Sequence, residues 1–116
     1  MHERSLVRGL IEQVLEEARI RGLGQIHEIK IEIGEFSGVE SLLVNSAFDE
    51  MAGEYWSTPV QLMVDVIPLT ASCEACHDNF RVMDFRFVCP KCGGGDVTIT
   101  AGEEMRLVSV RAEALI

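Results

Sequence analysis

The chain has 116 residues, of which 47% are hydrophobic, 25% charged and 6% aromatic, a balance that suits one real core with a small appendage and reads as globular rather than disordered. Its 10 Lys and Arg against 19 Asp and Glu leave a formal net charge of −9, which repels a phosphate backbone and argues against nucleic acid as a partner, while suiting metal cations, basic protein surfaces or simple solubility. No window reaches ~18 consecutive apolar residues and positions 1–20 interleave charge with apolar residues, so neither a membrane span nor a signal peptide is expected and the chain is placed in the cytoplasm.

In chain order, Leu6, Val7, Leu10, Ile11, Val14, Leu15 and Ala18 recur at spacings of three and four, which predicts a first helix with one apolar face. It should stop near Gly22 and Gly24, with Arg19 and Arg21 against the negative end of its dipole. From His27 to Gly34 the chain alternates, Ile29, Ile31 and Ile33 on one face and Glu28, Lys30 and Glu32 on the other, which predicts a half-buried strand. His27 on such a strand is expected to be packed or capped rather than a catalytic base. Ser37-Gly38-Val39-Glu40 has the spacing of a capping box that opens a second helix. That helix carries Leu42, Leu43, Phe48, Met51 and Ala52 and should end near Gly53. Val60 to Ile67 predicts a second strand that Pro68 stops, and Met105 to Glu113 a third.

The fold class expected is therefore α+β: two helices on one face of a three-stranded sheet, built from residues 1–69 and 101–116. Residues 70–100 should form an insertion between the last two strands.

That insertion holds Cys73-Glu74-Ala75-Cys76 and Cys89-Pro90-Lys91-Cys92, two C-x-x-C pairs separated by 12 residues. Each pair can turn tightly and aim two thiolates at one point, and two such turns facing each other make a tetrahedral all-sulfur set. In a reducing compartment metal ligation is favoured over two disulfides. Gly93, Gly94 and Gly95 supply backbone freedom and amides for sulfur, and Phe80, Val82, Phe85 and Phe87 a miniature apolar core. With all four sulfurs bound, no coordination position is open for catalysis, so structural Zn(II) is expected. Iron in the same tetrahedron fits the ligands equally well. A redox disulfide needs only one pair, and the haem-attachment match at Cys73-Glu74-Ala75-Cys76-His77 would leave Cys89 and Cys92 idle. His77 is expected on the surface of the site or beside a sulfur.

At the start of the chain, Met1-His2-Glu3 offers a second donor set. The Met1 amine and the deprotonated His2 amide close a five-membered chelate ring, and the His2 imidazole Nδ1 closes a six-membered one. The Glu3 amide nitrogen or carboxylate can complete a square-planar site of the kind Ni(II) and Cu(II) favour. Equally, His2 and Glu3 can be the polar start of the first helix, with Glu3 at the positive end of its dipole.

Met-His-Glu, the long amphipathic helix, Ile33-Gly34-Glu35-Phe36-Ser37-Gly38-Val39-Glu40 and the two cysteine pairs, taken in that order, resemble the HypA/HybF family over essentially the whole chain. The resemblance implies a non-enzymatic nickel metallochaperone for maturation of [NiFe]-hydrogenase. It also implies a HypB-type GTPase and the hydrogenase large-subunit precursor as partners, with urease maturation proteins and a homodimer left open. Nickel, the transient cargo, then belongs to Met1, His2 and Glu3, and structural zinc to Cys73, Cys76, Cys89 and Cys92. Position 4, commonly apolar in the family, is Arg4 here, a charge that can pair with Glu3 or weaken cation binding. The alternative is a zinc-ribbon module for protein or nucleic acid. It predicts a basic patch, whereas Arg81, Arg86 and Lys91 stand beside Glu74, Asp78 and Asp84. No Gly-rich phosphate loop or nucleophile elbow is visible.

Overall fold

The computed structural model describes residues 3–114. Helix α1 (Glu3–Arg21) leads into strand β1 (Leu23–Gly34), followed by helix α2 (Ser41–Met51), a short 3-10 turn (Ala52–Glu54) and strand β2 (Gln61–Ile67). Strands β3 (Thr70–Cys73), β4 (Asn79–Arg81) and β5 (Val97–Ala101) come next, and β6 (Met105–Ala114) closes the chain. They form two three-stranded sheets, ordered β2-β1-β6 and β4-β3-β5.

In the first sheet β1 is central, parallel to β2 and antiparallel to β6. The parallel pairing needs a crossover, which α2 supplies. Helix α1 buries Val7, Leu10, Ile11 and Val14 against Ile26, Ile29, Ile31 and Ile33 of β1. The opposite face of this sheet is mostly polar, with Met63 exposed among pairs such as Arg106–Glu32 at 2.8 Å and Lys30–Asp65 at 3.4 Å. Exposed pairs of this kind add about 0–1 kcal/mol each, so the helical face carries the stability.

Three local features of this sheet and its helices differ from expectation. Strand β1 starts at Leu23 rather than His27, because its first residues pair with Ala112 and Ala114 through register shifts that disguise the alternation. The capping box does not form. The Ser37 hydroxyl donates to the Gly34 carbonyl at 2.7 Å and accepts from the Val39 amide at 3.2 Å, which commits it to the turn leaving β1. Helix α2 begins four residues later with Glu40 as its N-cap and no side-chain cap bond. Its buried stripe is Val44, Ala47, Phe48 and Met51, whereas Leu42 and Leu43 are 76% and 51% exposed. At ~100° per residue, Leu42 and Leu43 fall outside a stripe centred on Ala47 and Phe48.

The second sheet is built around Leu69, Ala71 and Val82, with Phe80, Phe87, Val97 and Ile99 packed against them. Phe85, expected in this core, is instead 74% exposed. The molecule measures 55 × 30 × 16 Å with a radius of gyration of 17.8 Å, well above the ~13 Å of a compact chain of this length. It is therefore drawn out into two lobes.

The lobes meet where the chain crosses twice. The Phe36 amide donates to the Gly102 carbonyl and the Gly34 amide to the Glu104 carbonyl, both at 2.8 Å. The Glu35 carboxylate accepts the Leu69 amide at 2.7 Å and pairs with Arg81 at 3.0 Å. Those two donors, the Leu69 amide first and Arg81 second, hold its carboxyl below the usual carboxylate range. Gly102 has φ +101°, and a side chain there would press into the backbone of Pro68 and Leu69.

Candidate metal centre

The loop joining β3 to β4 and the loop preceding β5 each make a tight turn around a cysteine. In the first, the His77 amide donates to the Cys73 carbonyl and the Cys73 amide to the Asp78 carbonyl, both at 2.9 Å. In the second, the Gly93 amide donates to the Cys89 carbonyl at 2.8 Å and the Cys89 amide to the Gly94 carbonyl at 2.9 Å. His77 and Gly93 take φ of 64° and 78°, the left-handed conformation that reverses each turn. The two turns bring the sulfurs of Cys73, Cys76, Cys89 and Cys92 within 4.8 Å of one another.

Across the cluster, Cys73 lies 3.6 Å from Cys92 and Cys76 3.6 Å from Cys89. A tetrahedron with metal–sulfur bonds of ~2.3 Å has edges of about 3.8 Å, so the four thiols fit one ion such as zinc. Cys73 and Cys89 are buried and Cys92 is exposed at the rim. The Gly94 amide donates to Cys92 Sγ at 3.4 Å. A Cβ on Gly94 would stand 3.3 Å from Cys92 Sγ and 3.7 Å from Cys73 Sγ, so the glycine leaves room for the amide to approach sulfur.

The electrostatics of the thiols follow from that crowding. The Cys76 amide directed at its sulfur holds Cys73 down at about 7. The Asp78 amide favours the Cys76 thiolate, but burial and the sulfurs of Cys89, Cys73 and Cys92 outweigh it and push Cys76 up to about 12. Four thiolates this close cannot all ionise unaided, and a divalent cation at their centre reverses the balance by its own charge.

The second donor set lies almost wholly outside the described residues, which include Glu3 but neither Met1 nor His2. Glu3 is the first residue of α1 and half-buried. It borders a shallow depression with Arg4, Leu43, Ser46, Ala47 and Glu50. Arg4 pairs with Glu50 of α2 at 2.5 Å, so its charge is engaged by the neighbouring helix rather than by Glu3. The depression was not legible beforehand, because only the α1–α2 packing brings Leu43 and Ser46 beside Glu3. His27 pairs with Glu113 of β6 at 3.3 Å, a strand-to-strand contact in keeping with a capped histidine. His77 is exposed beside the cysteine cluster.

The family described as hydrogenase/urease nickel incorporation, metallochaperone, hypA matches residues 1–112. The chain belongs to the HypA family. Among similar HypA sequences, the hydrogenase maturation factor of Caldanaerobacter subterraneus subsp. tengcongensis is 32% identical, over 97% of this chain and 100% of its own. That of Paracoccus denitrificans is 37% identical, over 92% and 95% respectively. The solution structure of the Ni metallochaperone HypA from Helicobacter pylori superposes with a TM-score of 0.72 at 32% identity, covering 99% of this chain and 100% of the other. HypA membership accords with the α+β fold and with the four-cysteine cluster that suits structural zinc. Among the described residues no helix is long and apolar enough to cross a membrane.

Proposed function

We propose that this HypA chain carries Ni(II) at Met1, His2 and Glu3 and holds structural Zn(II) at Cys73, Cys76, Cys89 and Cys92. In this reading residues 1–69 and 101–116 are the nickel-binding domain and residues 70–100 the inserted zinc domain. The chain delivers nickel in the cytoplasm to the large-subunit precursor of a [NiFe]-hydrogenase, together with a HypB-type GTPase. Urease maturation proteins are further recipients where that enzyme is made, and the chaperone acts as a monomer or a homodimer. Its role is to carry a metal rather than to catalyse a reaction.

The observation that carries this reading is the HypA match over residues 1–112, which takes in both Met-His-Glu and the four cysteines. The convergence of those cysteines in one cluster supports it. A bare zinc-ribbon module for nucleic acid is disfavoured, since the net charge of −9 opposes phosphate.

The deciding test is at the terminus. Adding Gly-Ser before Met1 turns the amine donor into a peptide amide, and His2→Ala removes the imidazole. Both variants should keep one zinc, lose most of their Ni(II) affinity in calorimetric titration and fail to support hydrogenase maturation. Undiminished Ni(II) affinity in the extended protein would place the site elsewhere, with His27 and His77 the next candidates.

A further inference from the structure

The loop between β4 and Cys89 concentrates exposed apolar side chains on a left-handed backbone. Met83, Phe85 and Val88 are 57%, 74% and 48% exposed, within six residues of chain. Asp84 and Phe85 take φ of 53° and 56° in succession. Asp tolerates that left-handed conformation, whereas a bulky aromatic there is strained and persists only where surrounding structure enforces it. In this conformation Phe85 stays outside the Leu69–Ala71–Val82 cluster, its ring 5.7 Å from that of Phe36.

Charge is distributed just as unevenly. Of the 10 Lys and Arg residues, Arg4, Arg19, Arg21, Lys30, Arg81, Arg106 and Arg111 form ion pairs. Among the described residues Arg8, Arg86 and Lys91 have no such partner; Arg86 lies within this apolar loop and Lys91 follows it in sequence, two residues past Cys89. Asp84 is the loop's only carboxylate. Two shallow depressions open on either side of Met83. One, of about 280 Å³, is lined by Phe36 and Phe85 with Asp84 and the Glu35–Arg81 pair, and the other, of about 300 Å³, by Arg81, Arg86 and Val88 among others.

We propose that this loop is a docking site for an acidic amphipathic segment of a partner protein, its apolar side chains seated on Met83, Phe85 and Val88 and its carboxylates met by Arg86 and Lys91. The inference goes beyond metal carriage and uses no metal-ligating side chain, although Lys91 stands between Cys89 and Cys92. Methionine and an exposed aromatic ring suit an adaptable apolar contact, and unpaired cations on an otherwise acidic surface select acidic partners and reject basic ones. A nucleic acid or an anionic membrane is the weaker occupant. Each engages a broad run of cations, whereas this patch offers two within a chain of net charge −9. A short peptide meets the patch without meeting the rest of that field.

The test uses the zinc-loaded full chain and a fluorescent synthetic helix with Leu at i, i+4 and i+7 and Glu at its other exposed positions, alongside its Lys-for-Glu counterpart. The acidic peptide should bind in anisotropy titrations, more weakly as salt rises, while the basic one should not. Phe85→Ser and the double variant Arg86→Glu/Lys91→Glu should each weaken binding about tenfold or more, keeping one zinc per chain. Leu42→Ser, on the exposed face of α2, should leave it unchanged. The proposal is overturned by absent binding, by equal binding of both peptides, or by variants that bind as well as the parent. Tighter binding of a single-stranded oligonucleotide or of phosphatidylserine vesicles would also overturn it. So would Phe85-dependent dimers in sedimentation, which would assign the surface to a second copy.

Discussion

Replacing Gly102 with alanine tests how the two lobes are joined. A Cβ built on Gly102 stands 2.5 Å from Leu69 Cα, 2.7 Å from the Pro68 carbonyl oxygen and 2.8 Å from the Leu69 nitrogen, against 3.4–4 Å for ordinary contact. All three neighbours are backbone, so no rotamer change relieves the overlap and one crossing segment must move by several tenths of an ångström or more. Holding alanine at φ +101° adds roughly 1–2 kcal/mol, and overpacking of this kind roughly 1–3 kcal/mol. Together the cost is about 2–5 kcal/mol, or a fall in Tm of about 10 °C or more for a domain of this size. The same displacement moves the Leu69 amide that donates to Glu35, so interlobe order should fall as well. Thermal unfolding by circular dichroism measures the first effect, and NMR relaxation of the two lobes the second. The zinc content should remain one per chain. Gly53→Ala is the control, since nothing lies within 4 Å of its Cβ position. If Gly102→Ala melts within about 3 °C of the parent, the close crossing does not exist in solution.

Cys89→Ala should abolish zinc binding and melt the β3–β5 sheet while α1 and the β2-β1-β6 sheet stay folded, as judged by metal analysis and by NMR. The small Leu69–Ala71–Val82 cluster cannot replace the roughly 10 kcal/mol or more that structural zinc supplies. Finding iron, or a fully folded metal-free protein, contradicts this. Phe48→Ala, at a position 1% exposed, should cost about 3–5 kcal/mol in denaturant unfolding. Leu42→Ala, at 76% exposure, should change stability by no more than about 0.5 kcal/mol, and equal costs would show that the stripe of α2 has been misplaced. Nickel affinity should fall between about pH 8 and pH 6, because binding needs the His2 imidazole neutral and its free pKa is ~6.5. The protonated form accumulates as pH drops and competes with the metal, so an affinity flat over that range speaks against this ligand set.

The strongly periodic or closely spaced features were legible in the sequence alone. Residues Leu6 to Ala18 repeat at the helical period and Ile29, Ile31 and Ile33 at the strand period, and each pattern survives because a single face meets a single core. The four cysteines were legible for a different reason: two x-x spacings compel two tight turns whatever surrounds them. The nickel chelation proposed for Met-His-Glu is likewise a local expectation, since its chelate rings would close within three residues.

What depended on distant partners could not be read that way. The first residues of β1 form a strand because Ala112 and Ala114 of β6 pair with them. The Ser37 hydroxyl had two acceptable uses within its own segment, and the Gly34 carbonyl at the end of β1 took it from the helix. Leu42 and Leu43 are as apolar as Val44, and only the seating of α2 against the sheet decides which of them is buried. Phe85 satisfied every sequence criterion for a core residue until a left-handed turn turned it outward. The pairing of Arg4 with Glu50 and the clamp of Glu35 on Leu69 and Arg81 join residues separated by 46, 34 and 46 positions respectively. No local period encodes such contacts, because they exist only once the chain has crossed itself at Gly34 and Gly102.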